Sequence, residues 1–243
     1  MKLTANHAKF QIYDDVLPAA EFARLWKFIG TETYWLTHAP VWQKVWRIED
    51  GNPLSGPSAY SNQAAYAALS DNGKINVGPY RMFPTGEPID ALVSRIQAHA
   101  GDWTTLLGRE NDDWVGFVAR LFLYPRGTAL SWHADSKDYA GAFTYYAHPY
   151  WNVQYGGELF LAEVTRPLEE SPDYATRALD NADENDRLME HGIGHYVQAK
   201  PNRLVIVKAG VPHCVRAVTP AAGDRVRTSI AGFFAKKKPA TAA

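Results

Sequence analysis

A mainly β fold with flanking helices, of the jelly-roll kind, is what this sequence predicts, and three observations predict it. From about residue 115 the chain breaks into short apolar runs separated by turn residues. Eight such runs follow one another with no helical pattern between them, one long polar segment apart. The helical patterns that exist are confined to the first hundred residues. Strings of short strands without intervening helices close or sandwich antiparallel sheets.

Taken in order, the first element is a helix opened by Leu17-Pro18-Ala19-Ala20-Glu21. It carries Phe22, Leu25, Trp26 and Ile29 at helical spacing and stops at Gly30. Residues 31–86 are rich in Gly, Pro, Asn and Trp and show no regular pattern. Residues 87–100 read as a second amphipathic helix, with Ile89, Leu92, Val93, Ile96 and Ala100 on one side. The β runs then fall at 115–124, 129–133, 143–148, 157–163, 194–198, 203–208, 213–218 and 226–234. Residues 164–193 interrupt them as a polar, acidic stretch with Asp173, Asp180, Asp183, Glu184 and Asp186. A connection this long reads either as a lid over a site or as a mobile surface loop.

Composition bounds the function. The 243 residues, 46% hydrophobic and 21% charged, suit an ordinary globule. A single domain over 1–243 is expected, with a mixed part over about 1–114 and a β core over about 115–235. A formal net charge of -1 argues against nucleic acid or an anionic membrane as the main partner. The lone Cys214 excludes an internal disulfide and fits a reducing compartment. The N-terminus lacks the apolar stretch of a signal peptide, and no apolar run is long enough to span a bilayer. The expectation is a cytoplasmic protein.

The chemistry sits in three signals in order: His133-Ala134-Asp135, His213, and Arg227-Thr228-Ser229. Residues i and i+2 of an extended segment point the same way, so His133 and Asp135 can approach one ion from a strand end and the turn after it. His213 comes from a later β run, entered through Pro212. Two imidazoles and a carboxylate hold one face of a ferrous ion and leave positions for substrate and oxygen. A lone His-x-Asp is weak, since 8 His and 15 Asp in 243 residues yield about half a match by chance. The alternative is a hydrogen-bonded pair local to a turn. Arg227, Ser229 and Ala231 share a strand face, where an arginine and a hydroxyl can meet an anion. Arg225 has the same parity and is the rival anchor. Tyr124 and Tyr146 read as pocket tyrosines or as core tyrosines. A second metal site at His191 and His195 is disfavoured against plain loop or strand surface, and His148 reads as a strand end before Pro149.

Most of the chain resembles the 2-oxoglutarate and iron(II)-dependent dioxygenases, in particular their prolyl-4-hydroxylase-like branch. The resemblance runs through FQIYDDVLPAAEFARLWKFI, LFLYPRGTALSWHAD, FTYYAHPYWNVQYGGELFLAE, PNRLVIVKAGVPHCVRAV and RVRTSIAGFF. It implies a cupin-like double-stranded β-helix with iron on His133, Asp135 and His213. It also implies 2-oxoglutarate on that iron, its far carboxylate gripped by Arg227 and supported by Tyr146, with Tyr124 lining the same pocket. Dioxygen completes the implied set, and succinate and carbon dioxide are the implied by-products. Relatives that halogenate carry a small residue in place of the acid, so Asp135 implies a hydroxylase.

The substrate is expected to be a small molecule such as an amino acid or a biosynthetic intermediate. The alternatives are a protein or peptide side chain, an iron enzyme that needs no 2-oxoglutarate, and a non-catalytic jelly-roll binding or sensor protein. Trp132, Trp151, Asn152, Arg120 and Arg126 are the nearest candidates for substrate contacts, each equally readable as packing or surface charge.

Overall fold

The structure, a computed structural model, describes residues 1–37, 50–70, 79–165, 176–177 and 181–237. In chain order the elements are β1 (Lys2–Asn6), β2 (Phe10–Asp14), α1 (Ala19–Ile29), β3 (Trp35–Leu36), β4 (Leu54–Tyr60), α2 (Gln63–Ser70), β5 (Tyr80–Met82), α3 (Ile89–Ala98) and the single turn α4 (Thr104–Leu107). Then come β6 (Trp114–Tyr124), β7 (Leu130–Ala134), β8 (Tyr139–Tyr146), β9 (Leu159–Ala162), β10 (Thr176–Arg177), α5 (Ala182–His191), β11 (Gly194–Val197), β12 (Leu204–Lys208), β13 (His213–Val215) and β14 (Arg227–Lys236).

The strands make two sheets. The major sheet runs β1-β2-β12-β8-β14-β6-β4-β3, with β5 added in parallel to β4. The minor sheet runs β10-β7-β13-β9-β11 and is antiparallel throughout. The two share one core of Phe122, Tyr124, Val205 and Val207 against Leu130, Leu159, Leu161 and Val215, and they do not close into a barrel. This is the jelly-roll arrangement the sequence predicts.

The major sheet is buried on both faces. Odd positions of β6 and β8, such as Phe117, Leu121, Phe143 and Tyr145, pack outward against Leu25, Ile29, Leu92, Val93 and Ile96 of α1 and α3. Even positions, such as Phe122, Tyr124 and Tyr146, face the minor sheet. A strand covered on both sides needs apolar residues at every position, so VARLFLY and LVIV carry no alternation. Ile89, Leu92, Val93 and Ile96 of α3 are each about fully buried, worth roughly 1.5–3 kcal/mol apiece in transfer free energy.

The N-terminal hundred residues prove more β-rich than their pattern indicates. β1 to β5 all join the major sheet, and β4 pairs with β6 along its length. At the end of β2, Asp14 accepts from Arg203 Nε (2.7 Å) and Lys200 Nζ (2.8 Å) and ties the N-terminal strands to the approach to β12. Burial alone would raise the Asp14 carboxyl, but these two cations reverse that and hold it at about 2.

The segment over 164–193, read from the sequence as a lid or a surface loop, carries regular structure in its described part. Its described part contains α5, capped at its N-terminus by the Asn181 side chain and at its C-terminus by Gly192 in the left-handed conformation. It also contains β10, which lines up beside β7. Asp173 and Asp180 lie outside the described residues. No helix among the described residues is long and apolar enough to cross a membrane.

Candidate active site

Two strands of the minor sheet build the site. β7 carries His133, with Asp135 just beyond its end, and β13 begins at His213. The strands pair antiparallel with His213 directly across from His133, so the rings meet at 4.3 Å between centroids. Asp135 Oδ1 lies 3.8 Å from His133 Nε2 and Asp135 Oδ2 lies 3.8 Å from His213 Nε2. These distances are too long for hydrogen bonds, which removes the turn-local pair as a reading of His133 and Asp135. All three ligand atoms lie within 4.8 Å of one another, the spacing of groups that could share one ion. Their side chains are 3%, 13% and 12% exposed for His133, Asp135 and His213, so the cluster opens on the Asp135 and His213 side.

The backbone sets both imidazoles for metal. His133 Nδ1 lies 2.8 Å from the Ser131 carbonyl and His213 Nδ1 lies 2.9 Å from the Val211 carbonyl. Each Nδ1 therefore carries the proton and donates it, which leaves each Nε2 lone pair facing Asp135. Behind His133 stands a residue that sequence reasoning missed. Asp50, 1% exposed, accepts from the Ser131 amide (2.9 Å) and the Ser131 hydroxyl (2.5 Å), fixing the residue whose carbonyl orients His133. Asp50 comes from the patternless stretch before β4, where no local signal marks it. Burial raises the Asp135 carboxyl above the usual carboxylate range.

Deeper on the facing sheet is a second polar group. Arg227, 1% exposed, is the cross-strand partner of Tyr124. Its guanidinium carbon lies 4.9 Å from the ring centroids of both Tyr124 and Tyr146. Nε donates to the Gly157 carbonyl at 2.7 Å and Nη1 to Ser229 Oγ at 3.2 Å. Arg227 Nη2 and the Tyr146 hydroxyl are buried with no hydrogen-bond partner among the described residues. Burial raises the Tyr146 phenol, and the nearby Arg227 charge works against that rise. Two orphaned donors side by side in an apolar wall are costly unless an acceptor joins them. Arg225, the rival anchor, is exposed and lies over the rings of Tyr150 and Tyr155 at the surface.

Residues 119–235 match the family model of the 2OG-Fe(II) oxygenase superfamily. Over these residues the chain belongs to that superfamily. Its fold is that of the prolyl-4-hydroxylase-like branch. A prolyl-4-hydroxylase from Pseudomonas putida superposes with a TM-score of 0.56 at 20% identity, covering 93% of this chain and 92% of that one. A prolyl hydroxylase from Trichoplax adhaerens, in complex with a hypoxia inducible factor oxygen degradation domain peptide fragment, gives 0.58 at 16% identity over 95% and 84%. An oxidoreductase of the 2OG-Fe(II) oxygenase family from Burkholderia pseudomallei gives 0.54 at 14% identity over 94% and 86%. No curated protein sequence matches the chain.

Members of this superfamily are dioxygenases that use Fe(II), 2-oxoglutarate and O2. The oxygenase's residues fit those groups. The donor set of two neutral imidazoles and one carboxylate suits a ferrous ion with open positions. The orphaned Arg227 and Tyr146 donors fit a carboxylate.

A second cluster of His7, Glu163 and His195 also gathers three ligand atoms within 4.8 Å. Its chemistry differs. His7 Nδ1 accepts from the Lys9 amide, which puts the proton on Nε2, the atom that faces Glu163. Glu163 is already taken by Lys9 Nζ at 2.7 Å and by His195 Nε2. Those hydrogen bonds hold its carboxyl at about 2. The cluster is an ion-paired clasp between the β1–β2 turn and β9, in keeping with the surface reading of His195. His148 is buried rather than a simple strand end. Its Nε2 meets the Ala199 carbonyl at 2.7 Å, and burial pushes it down to about 4, so it is neutral in the folded protein. Trp151 donates to the Gly156 carbonyl, and the Asn152 side chain accepts from the Gln154 amide, so both serve the local turn.

Proposed function

We propose that this oxygenase hydroxylates a C–H bond of a small molecule, such as an amino acid or a biosynthetic intermediate, at a site formed by one domain spanning residues 1–243. His133, Asp135 and His213 hold the iron in this reading, and Arg227, Ser229, Tyr146 and Tyr124 hold 2-oxoglutarate. The single observation that carries the assignment is the pair of orphaned buried donors, Arg227 Nη2 and Tyr146 Oη, set into the wall that faces the His/Asp cluster.

When bound, the iron and 2-oxoglutarate supply the oxidising power: one oxygen atom goes to the C–H bond and the other to succinate as carbon dioxide leaves. The chain's own residues do the rest. The Ser131 and Val211 carbonyls hold the two imidazoles in the tautomer that presents Nε2. Asp50 locks Ser131. Tyr124 and Tyr146 clamp the guanidinium flat so that its free edge meets a carboxylate. The minor sheet is extended by β10, whose backbone pairs alongside His133.

The narrow exposure of the ligand residues, 13% at most, favours a small substrate over a segment of a folded partner. The test is succinate release with Fe(II), 2-oxoglutarate and O2, stimulated by a panel of free amino acids and other small acids and, separately, by proline-containing peptides. Stimulation by a small molecule with equimolar hydroxylated product supports the reading. Stimulation by peptides alone would replace it with a peptide hydroxylase.

A further inference from the structure

The carbonyl that fixes Arg227 belongs to a turn of two glycines. Arg227 Nε donates to the Gly157 carbonyl at 2.7 Å. Gly156 and Gly157 both take positive φ, +73 and +74, where glycine moves freely and other residues rarely go. The place of that carbonyl therefore depends on what grips the turn. One grip comes from the chain behind it: Gly156 bridges to Val218, and the Thr219 amide donates to the Tyr155 carbonyl at 2.8 Å. The other comes from Trp151, whose Nε1 donates to the Gly156 carbonyl at 2.8 Å. That carbonyl is part of the peptide joining the two glycines, so the indole sets the plane from which the Gly157 carbonyl projects.

Trp151 is itself backed by a buried imidazole. The rings of Trp151 and His148 lie 4.8 Å apart between centroids, tilted by 37°. His148 Nε2 lies 2.7 Å from the Ala199 carbonyl, and Nδ1 lies 3.2 Å from the Thr228 amide and 3.1 Å from the Thr228 carbonyl. A neutral imidazole carries one proton. The shorter contact takes it, so Nε2 donates to Ala199 and Nδ1 accepts from the Thr228 amide. Thr228 follows Arg227 on β14. The path is thus closed: from the guanidinium through Gly157 and Gly156 to Trp151, across to His148, and back through Thr228 to the Arg227 backbone. Tyr124 and Tyr146 confine the plane of the guanidinium, each with its ring centroid 4.9 Å away. Rotation within that plane is set at its edge, by the bonds to Gly157 and Ser229. That rotation aims Nη2, the donor that has no partner among the described residues.

We propose that Trp151 and His148 are positioning residues for the cosubstrate: acting through the Gly156–Gly157 turn and through Thr228, they aim Arg227 Nη2 and so set the preference for an oxo acid with a far carboxylate over one without. The inference rests on the reading of Arg227 as the carboxylate anchor. Neither ring touches the cosubstrate in this account. Each acts through a bond to the backbone that carries or receives Arg227.

Calorimetric titration of the anaerobic, Fe(II)-loaded protein tests this without turnover. The probes are 2-oxoglutarate and 2-oxopentanoate, which share the chelating end and differ in carrying a carboxylate or a methyl group at the other. The unaltered protein should prefer 2-oxoglutarate by at least about tenfold, and Arg227→Met should abolish the preference. Trp151→Phe keeps an aromatic ring and removes the indole N–H. It should weaken 2-oxoglutarate by at least about fivefold and 2-oxopentanoate by less than about twofold, with Fe(II) affinity also within about twofold. His148→Phe should act in the same direction, and if either variant fails to fold the other decides. A measurement on the unaltered protein needs no variant: backbone amides of residues 150–158 should exchange at least about threefold more slowly with 2-oxoglutarate bound than with 2-oxopentanoate. Equal losses for the two oxo acids, an undiminished preference in Trp151→Phe, or equal exchange with either acid bound overturns the positioning role. No preference in the unaltered protein, or a preference that survives Arg227→Met, would overturn the reading of Arg227 and the inference with it.

Discussion

His133 and His213 are cross-strand partners, directly opposed in the antiparallel pairing of β7 and β13, with ring centroids 4.3 Å apart. Register alone brings together two residues eighty positions apart in the chain, and Asp135 closes the triangle from the turn after β7. Each backbone carbonyl that fixes an imidazole lies two residues before it, at Ser131 and Val211. His133→Ala and His213→Ala should therefore each lower Fe(II) affinity by more than the roughly 10–100-fold that loss of an outer partner costs. Equilibrium dialysis against Fe(II) under nitrogen reads this directly, and full iron occupancy in both variants would remove the metal assignment.

Asp50 offers a more discriminating probe, because it touches neither ion nor cosubstrate. It holds Ser131, which holds His133. Asp50→Ala should weaken Fe(II) binding by about 10–100-fold while 2-oxoglutarate binding, measured at saturating metal, changes far less. Equal losses in both would mean that Asp50 supports the fold as a whole rather than the orientation of one imidazole.

Arg227 and Arg225 differ by two residues and by their surroundings. Arg227 is buried with a free donor, whereas Arg225 lies over surface tyrosines. Arg227→Ala should cost about 2–5 kcal/mol in cosubstrate binding, about 30-fold or more in the KM for 2-oxoglutarate. Arg225→Ala should leave it nearly unchanged. Reversal of the two effects would move the anchor to Arg225.

Gly157 gives the same pocket an independent check. Its φ of +74 is rarely adopted by residues with a side chain, and a Cβ there would sit 2.6 Å from Arg227 Cδ. Gly157→Ala should displace the guanidinium and raise the KM for 2-oxoglutarate on the order of 10–100-fold, with Fe(II) affinity retained. An unaffected KM would show that the position of Arg227 is not what binds the cosubstrate.

The Asp14 ion pairs should appear as acid sensitivity. The carboxyl is held at about 2, below its unfolded value of 3.8, so its contribution is complete above that unfolded value and is lost as pH falls through about 2. Asp14→Asn should be less stable by about 2 kcal/mol at pH 7, and the difference should shrink between about pH 4 and pH 2. Urea denaturation at pH 7, 4 and 2.5 measures it; a gap that does not depend on pH would assign the loss to packing.

Much of this was legible before the structure. The apolar runs mark β6, β12 and β14 because strands covered on both faces cannot hide their composition, and β7, β9, β11 and β13 show as short runs of β-prone residues between turns. His133-Ala134-Asp135, His213 and Arg227 stand out because the residue types are rare on apolar runs. What was not legible depends on partners far away in the chain. β4 is LSGPSAY, with a proline and four small residues, and is a strand only because β6 gives it a partner. The first part of β8, Tyr139 to Ala142, lacks a strand-like run for the same reason. Asp50 looks like any turn aspartate until β7 comes to lie against it. His7 joins His195 and Glu163 only through the pairing of β2 with β12 and of β9 with β11. The helix α5 was hidden by its polarity, since it buries little apart from Glu184.

The central claim is that one site, built from His133, Asp135, His213 and Arg227, couples 2-oxoglutarate to oxidation of a small molecule. The measurement that bears on it most directly is the ratio of succinate formed to hydroxylated product, with Fe(II), 2-oxoglutarate, O2 and the small molecule that best stimulates succinate release. The ratio should approach one in the unaltered protein, with neither product formed by His213→Ala. Succinate released at the same rate with and without any small acid, and never matched by a hydroxylated product, would contradict it.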